Sequence, residues 1–263
     1  MTQHALSRTG AFRQLIALFA VAILALALGG CRSLDDFRRS LVATKCISQG
    51  NELLEEGNRA AALADFAKAQ RLRPGDRQVE RLLIYRYARA GAPDRAESLV
   101  RGERVSAEVY WALGNAFFEK GDPDKGIVYC EKALAANPND PVTLNNVGFV
   151  YADNNVELQR ALGLVLKANL LKRNQGYIID SVGWAYYKLG QFEEARPHLE
   201  RAAKMTPGSA ETRYHLGALY SRLGLRREAR IELEAALSYE PSLQPAREEL
   251  RRLGWVLPVP PTV

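Results

Sequence analysis

The apolar and small positions of this chain fall into blocks that recur about every 34 residues, punctuated by Gly and Pro. The segments Gly114-x2-Phe117-x3-Gly121, Gly148-x2-Tyr151, Gly183-x2-Tyr186-x3-Gly190 and Gly217-x2-Tyr220-x3-Gly224 keep one register. Ala195 and Ala229, Ala202 and Ala236, and Pro207 and Pro241 extend it, each pair 34 residues apart. Between them Lys and Arg interleave with Asp and Glu, as on a solvated helix face. A unit of this size cannot hide its own apolar face, so neighbours must stack into a one-dimensional array with a long surface. Such a surface points to holding a partner, not to a reaction.

The blocks resemble the tetratricopeptide repeat, a pair of antiparallel helices with small residues where they cross. Six copies span roughly Ala43 to Pro241. The first holds Gly50, Gly57, Ala62, Phe66 and Pro74, and the third Gly114, Phe117, Gly121 and Pro138. The second is about four residues short and keeps Leu83, Tyr87, Gly91 and Ala96; the fourth has one extra residue around Asp153-Asn154-Asn155. The resemblance implies an all-α fold: a right-handed α-solenoid of about six helical hairpins over 43–242, with a C-terminal capping helix at 243–254. A Gly inside a helix costs about 1 kcal/mol relative to Ala. Close crossing of the two helices accounts for Gly50, Gly114, Gly148, Gly183 and Gly217, with Ala62, Ala96, Ala161, Ala195 and Ala229 facing them. Gly57, Gly91, Gly121, Gly190 and Gly224 end the first helices, and Asn155 can take the same left-handed conformation in the fourth. Pro74, Pro138, Pro207 and Pro241 stop the second helices.

Ahead of the array, Arg8 and Arg13 precede an apolar run of 14 residues from Leu15 to Leu28. That is short for a membrane-spanning helix but suits a secretory signal over 1–30. Leu28-Gly29-Gly30-Cys31 resembles the lipobox of bacterial lipoproteins, which implies cleavage before Cys31 and lipid (diacylglycerol, then palmitate-type acyl chains) on that cysteine. An uncleaved anchor, or a plain signal peptide with a chance cysteine, is the other reading. Arg32, where the lipoprotein family uses Asp for inner-membrane retention, implies the outer membrane, with the chain lipid-anchored and facing the periplasm. Ser33-x-x-Asp36 looks like a capping box that opens a lead-in helix within 31–42. The tail 255–263 is Pro-rich; Trp255 and Leu257 either pack back on the capping helix or bind a partner.

Composition narrows the function. The formal charge of +6 falls to +4 without Arg8 and Arg13, weak grounds for nucleic acid, and no nucleic-acid partner is expected. Cys46 and Cys130 sit two repeats apart, on the order of 20 Å, too far for a disulfide, and both read as buried apolar residues. No phosphate loop, metal-ligand cluster or nucleophile elbow occurs, so no enzyme activity, cofactor or metal is expected. Of the three His, His4 leaves with the signal and His198 reads as solvated.

In the repeat family the first helices line a concave groove that takes peptide segments of other proteins. Its groove positions fall on Tyr85, Trp111, Asn115, Phe118, Asn145, Asn146, Phe149, Tyr177, Asp180, Trp184, Tyr187, Tyr214 and His215. Rings mixed with amides suit capture of an extended backbone; the other reading packs the rings between adjacent repeats. Asn115 and Asn146 match positions that grip a peptide main chain. The flanking Lys or Arg of a carboxylate clamp are missing, since Trp111, Tyr177 and Ser181 stand there. The expectation is an outer-membrane lipoprotein acting as a scaffold or adaptor for envelope proteins. The alternative is an assembly factor for a pilus, secretion or exopolysaccharide export machine.

Overall fold

The computed structural model describes residues 34–100 and 105–255. The expected signal segment, Cys31, Ser33 of the capping pair and the tail after Trp255, Leu257 included, lie outside the described residues. The described residues form thirteen α-helices and no strand. They divide between two compact units, Met1–Val105 and Ser106–Val263.

The first unit holds two hairpins: α1 (Leu34–Glu55) with α2 (Arg59–Leu72), and α3 (Arg77–Arg89) with α4 (Pro93–Leu99). Helix α1 runs unbroken for 22 residues, so the lead-in and the first helix of the first repeat are one element. Phe66 fills the space left by Gly50, and its ring meets Tyr87 edge-on at 6.0 Å. Helix α4 has only 7 residues, where the shortening of the second repeat falls.

The second unit stacks four hairpins and a cap. The pairs are α5 (Ala107–Lys120) with α6 (Pro123–Ala136), α7 (Pro141–Asp153) with α8 (Leu158–Leu171), α9 (Gly176–Lys188) with α10 (Phe192–Met205), and α11 (Ala210–Arg222) with α12 (Arg226–Tyr239). Helix α13 (Gln244–Arg252) closes the end. The crossings are as tight as the small residues suggest. A Cβ on Gly183 would stand 2.6 Å from Leu199 Cγ, and one on Gly217 would stand 2.7 Å from Leu233 Cγ. The same contact thus recurs 34 residues on. In the α5–α6 hairpin the facing residue is Gly126, not Ala, and the ring of Phe118 presses into the gap.

Turns follow the same logic. Gly190 has φ 78°, while Asn155 takes over at φ 56° in the fourth repeat, and Glu157 at φ 42° absorbs its extra residue. Val156 N–H still reaches the Tyr151 carbonyl at 2.8 Å, the capping bond that Gln191 N–H makes to Tyr186. Successive hairpins are also tied by side chains: Tyr151 donates to Glu131 at 2.7 Å and Tyr220 to Glu200 at 3.1 Å. Ala246 and Leu250 of α13 are fully buried, and Trp255 packs beside them under the Arg230 guanidinium, 4.0 Å above its ring.

Two single residues complete this picture. His198 is not solvated as expected; it is half-buried beside Tyr186, ring centroids 5.7 Å apart, and burial pushes its pKa down. Cys46 and Cys130 are buried and free, and burial pushes the Cys130 thiol up to about 12.

Candidate functional site

The first helices of the second unit share one register, so residues 34 or 35 apart form rows across α5, α7, α9 and α11. Trp111, Asn145, Asp180 and Tyr214 make one row; Asn146, Ser181 and His215 make the next. Asn115, Phe149 and Trp184 stand one helical turn further on, followed by Phe118 and Tyr187. Each sits on its row because the crossing glycines, at Gly114, Gly148, Gly183 and Gly217, lock its helix against the second helix behind.

Burial divides these positions. Trp111, Asn115, Asn146, Phe149, Tyr187 and Tyr214 are half-buried, and Tyr177 is exposed. Phe118, Asn145 and Trp184 are buried instead, each less than a tenth exposed, and so offer no open groove surface. The reason for Phe118 is the missing Cβ of Gly126, which draws the ring between helices and against Tyr151. The amides are partly engaged already. Asn115 donates to Glu119 on its own helix at 2.9 Å, and Asn146 Oδ1 accepts from Asn145 at a long 3.4 Å. Tyr85 belongs to the first unit, where it lines a cavity with Asn51, Leu54 and Arg86.

The centre of the face is a buried ion pair that the sequence reading did not link. His215 Nδ1 lies 2.8 Å from Asp180 Oδ2. Trp184 stacks on the imidazole at 4.0 Å between centroids and on Tyr187 at 4.7 Å. Its indole N–H donates to Asp153 Oδ1 at 3.1 Å, and Lys188 Nζ donates to the Asp153 carbonyl at 2.8 Å. Phe149 and Tyr214 complete the wall around His215. The signal was available: Asp180 and His215 are 35 apart, one residue off the repeat, which places them diagonally on neighbouring helices.

Charge here is uneven. Burial alone would lower the pKa of His215, but the Asp180 carboxylate, with Glu211 and Asp153 near it, outweighs burial and raises it. Crowding pushes the Glu211 carboxyl up; His215 opposes this, and Asp180 and Asp153 add to it. Three buried polar atoms of the first row have no hydrogen-bond partner among the described residues: Trp111 Nε1, Asn145 Oδ1 and Asp180 Oδ1. Among the described residues no group of three or more His, Cys, Asp and Glu is arranged to hold a metal ion.

Models of the tetratricopeptide repeat match residues 107–140 and 210–243, and a TPR repeat model matches 183–224. The chain carries tetratricopeptide repeats. TPR repeat-containing protein PA4667 of Pseudomonas aeruginosa is 33% identical over 84 residues, 32% of this chain and 14% of that protein. Human protein O-mannosyl-transferase TMTC1 is 26% identical over 170 residues, 62% of this chain and 19% of that protein. The chain thus spans less than a fifth of either relative's length. Among solved structures, the APC/C hetero-tetramer Cut9-Hcn1 superimposes with a TM-score of 0.60 at 20% identity, covering 90% of this chain and 45% of that one. A tetratricopeptide repeat protein from Parabacteroides merdae gives 0.56 at 13% identity, covering 81% and 93%. At such identities the likeness is one of fold.

Proposed function

We propose that this chain is a lipid-anchored scaffold of the outer membrane, facing the periplasm, that holds extended segments of envelope proteins on the first-helix face of its second unit. It works by binding and not by catalysis. The observation that carries the reading is the set of half-buried rings and amides on that face, Trp111, Phe149, Tyr187, Tyr214, Asn115 and Asn146. Rings that are neither core nor fully wet supply contact area that a partner completes, and the amides pair with an extended main chain. The lipid anchor is supported by Leu28-Gly29-Gly30-Cys31.

The test places a photo-crosslinking amino acid at Tyr177, which is exposed on the first-helix side, or at Ile231, exposed on a second helix. Crosslinks in native envelopes are then identified by mass spectrometry. A discrete protein adduct at 177 and none at 231 supports the binding face. Adducts only at 231 would remove it. A hydrolase or protease in the adduct supports the adaptor role, whereas a pilus, secretion or export component moves the role to assembly.

A further inference from the structure

We infer that the first-helix face of the second unit selects a lysine or arginine side chain, carried by the extended protein segment it holds. This rests on the reading of that face as peptide-binding and adds its chemical preference.

The buried acceptors come first. Among the described residues Asp180 Oδ1 has no hydrogen-bond partner although its residue is only 5% exposed, and one repeat earlier Asn145 Oδ1, also on a residue 5% exposed, has none either. A buried acceptor left unpaired is costly, more so when it is charged, and a donor that reaches it recovers that cost. Two orphan acceptors on successive first helices suit a group with several N–H donors. An ammonium offers three and a guanidinium five.

Charge balance points the same way. Asp153, Asp180 and Glu211 all act on His215, which supplies a positive charge only when protonated. Glu211 makes no ion pair among the described residues, and its raised pKa reflects acidic neighbours as well as crowding. Lys188 Nζ donates to the Asp153 main-chain carbonyl and lies over the Trp184 ring at 5.3 Å, so it balances Asp153 and leaves Asp180 and Glu211 to His215. The acidic groups are not arranged to coordinate a metal ion, so an organic cation is the fitting occupant. The rings agree: Tyr214, half-buried and next to Trp184 and His215, has a π-face of the kind that attracts ammonium and guanidinium groups. Both oxygens are covered, so entry requires a shift of neighbouring side chains, and Phe149 and Tyr214 beside His215 are only half-buried. Along the row, Trp111 Nε1 is a donor and Asn145 Oδ1 an acceptor. The Trp111 donor suits a main-chain carbonyl ahead of the cationic side chain.

The experiment measures fluorescence anisotropy of the full chain in detergent with four labelled decapeptide libraries, random except for one central residue fixed as Arg, Lys, Glu or Ala. The Arg and Lys libraries should bind about tenfold more tightly than the Glu and Ala libraries, the effect of one partly desolvated charge pair. That preference should shrink towards unity in Asp180→Asn and in Glu211→Gln; the second, at an exposed residue, keeps the test valid if the first variant folds poorly. Equal affinity for all four libraries, or an undiminished preference in Glu211→Gln and in folded Asp180→Asn, overturns the cation site while leaving the face peptide-binding. Binding of no library removes the peptide-binding face and this site with it.

Discussion

His215 and Asp180 form a buried pair across neighbouring first helices, Nδ1 to Oδ2 at 2.8 Å, with side chains 2% and 7% exposed. Burial disfavours the imidazolium, yet the nearby carboxylates raise its pKa above the ordinary 6.5. A base with a raised folded pKa lends stability that is complete below its unfolded value and fades as pH climbs through the folded value. His215→Gln should therefore melt lower than the parent, by roughly 3–5 kcal/mol near pH 6, because it strands a buried carboxylate. The gap between the two melting curves should narrow from pH 6 to pH 9. A gap independent of pH would mean that the imidazole is neutral throughout.

Gly183 and Gly163 make a matched pair inside helices. A Cβ at Gly183 would lie 2.6 Å from Leu199 Cγ and 3.1 Å from the Leu199 main-chain nitrogen, so backbone must move. A Cβ at Gly163 meets nothing within 4 Å. Gly183→Ala should destabilise the chain by about 1–3 kcal/mol through overpacking. Gly163→Ala should stabilise it by up to about 1 kcal/mol through helix propensity. Thermal unfolding of the two variants decides the matter, and shifts of the same sign would contradict the close-crossing account.

Why was so much of the fold legible? Its determinants are local and repeated. Gly217 meets Leu233 as Gly183 meets Leu199, and Asn155 does at its turn what Gly190 does at another. The site was harder to read because equivalent positions differ in what surrounds them. Trp111 and Asn145 share a row, yet one is half-buried and the other buried. Phe118 leaves the groove because Gly126, on another helix, makes room for it. Burial there depends on the sizes of neighbours on other helices, which a periodic pattern does not encode. The Asp180–His215 pair was hidden for the same reason: each residue was placed on the face, but their contact is diagonal.

Binding through the rings should be tested at Trp111 and Tyr214 before Trp184. Trp184 is 3% exposed, stacks on His215 and Tyr187 and donates to Asp153. Trp184→Ala should cost about 3–5 kcal/mol of stability, so lost binding in that variant would be ambiguous. Trp111→Ala and Tyr214→Ala remove half-buried rings and should each weaken peptide binding about tenfold, as interface aromatics commonly do. Their melting temperatures should fall less than that of Trp184→Ala. Unchanged affinity in both would take the rings out of the binding face.

The anchor is open to a test that separates its two possible sources. No helix among the described residues is long and apolar enough to cross a membrane. The sequence offers two candidate sources of a membrane hold, the apolar run Leu15–Leu28 and lipid on Cys31. Each buried CH₂ of an acyl chain contributes about 0.8 kcal/mol, and one chain alone holds only weakly, so durable anchoring needs more than one. Cys31→Ser removes the acceptor for all of them while leaving the apolar run intact. If lipid is the anchor, the variant should move from the membrane pellet to the soluble fraction, and metabolic labelling with a palmitate analogue should vanish. If the run stays uncleaved, the variant should remain in an alkali-washed pellet, and the lipoprotein reading fails.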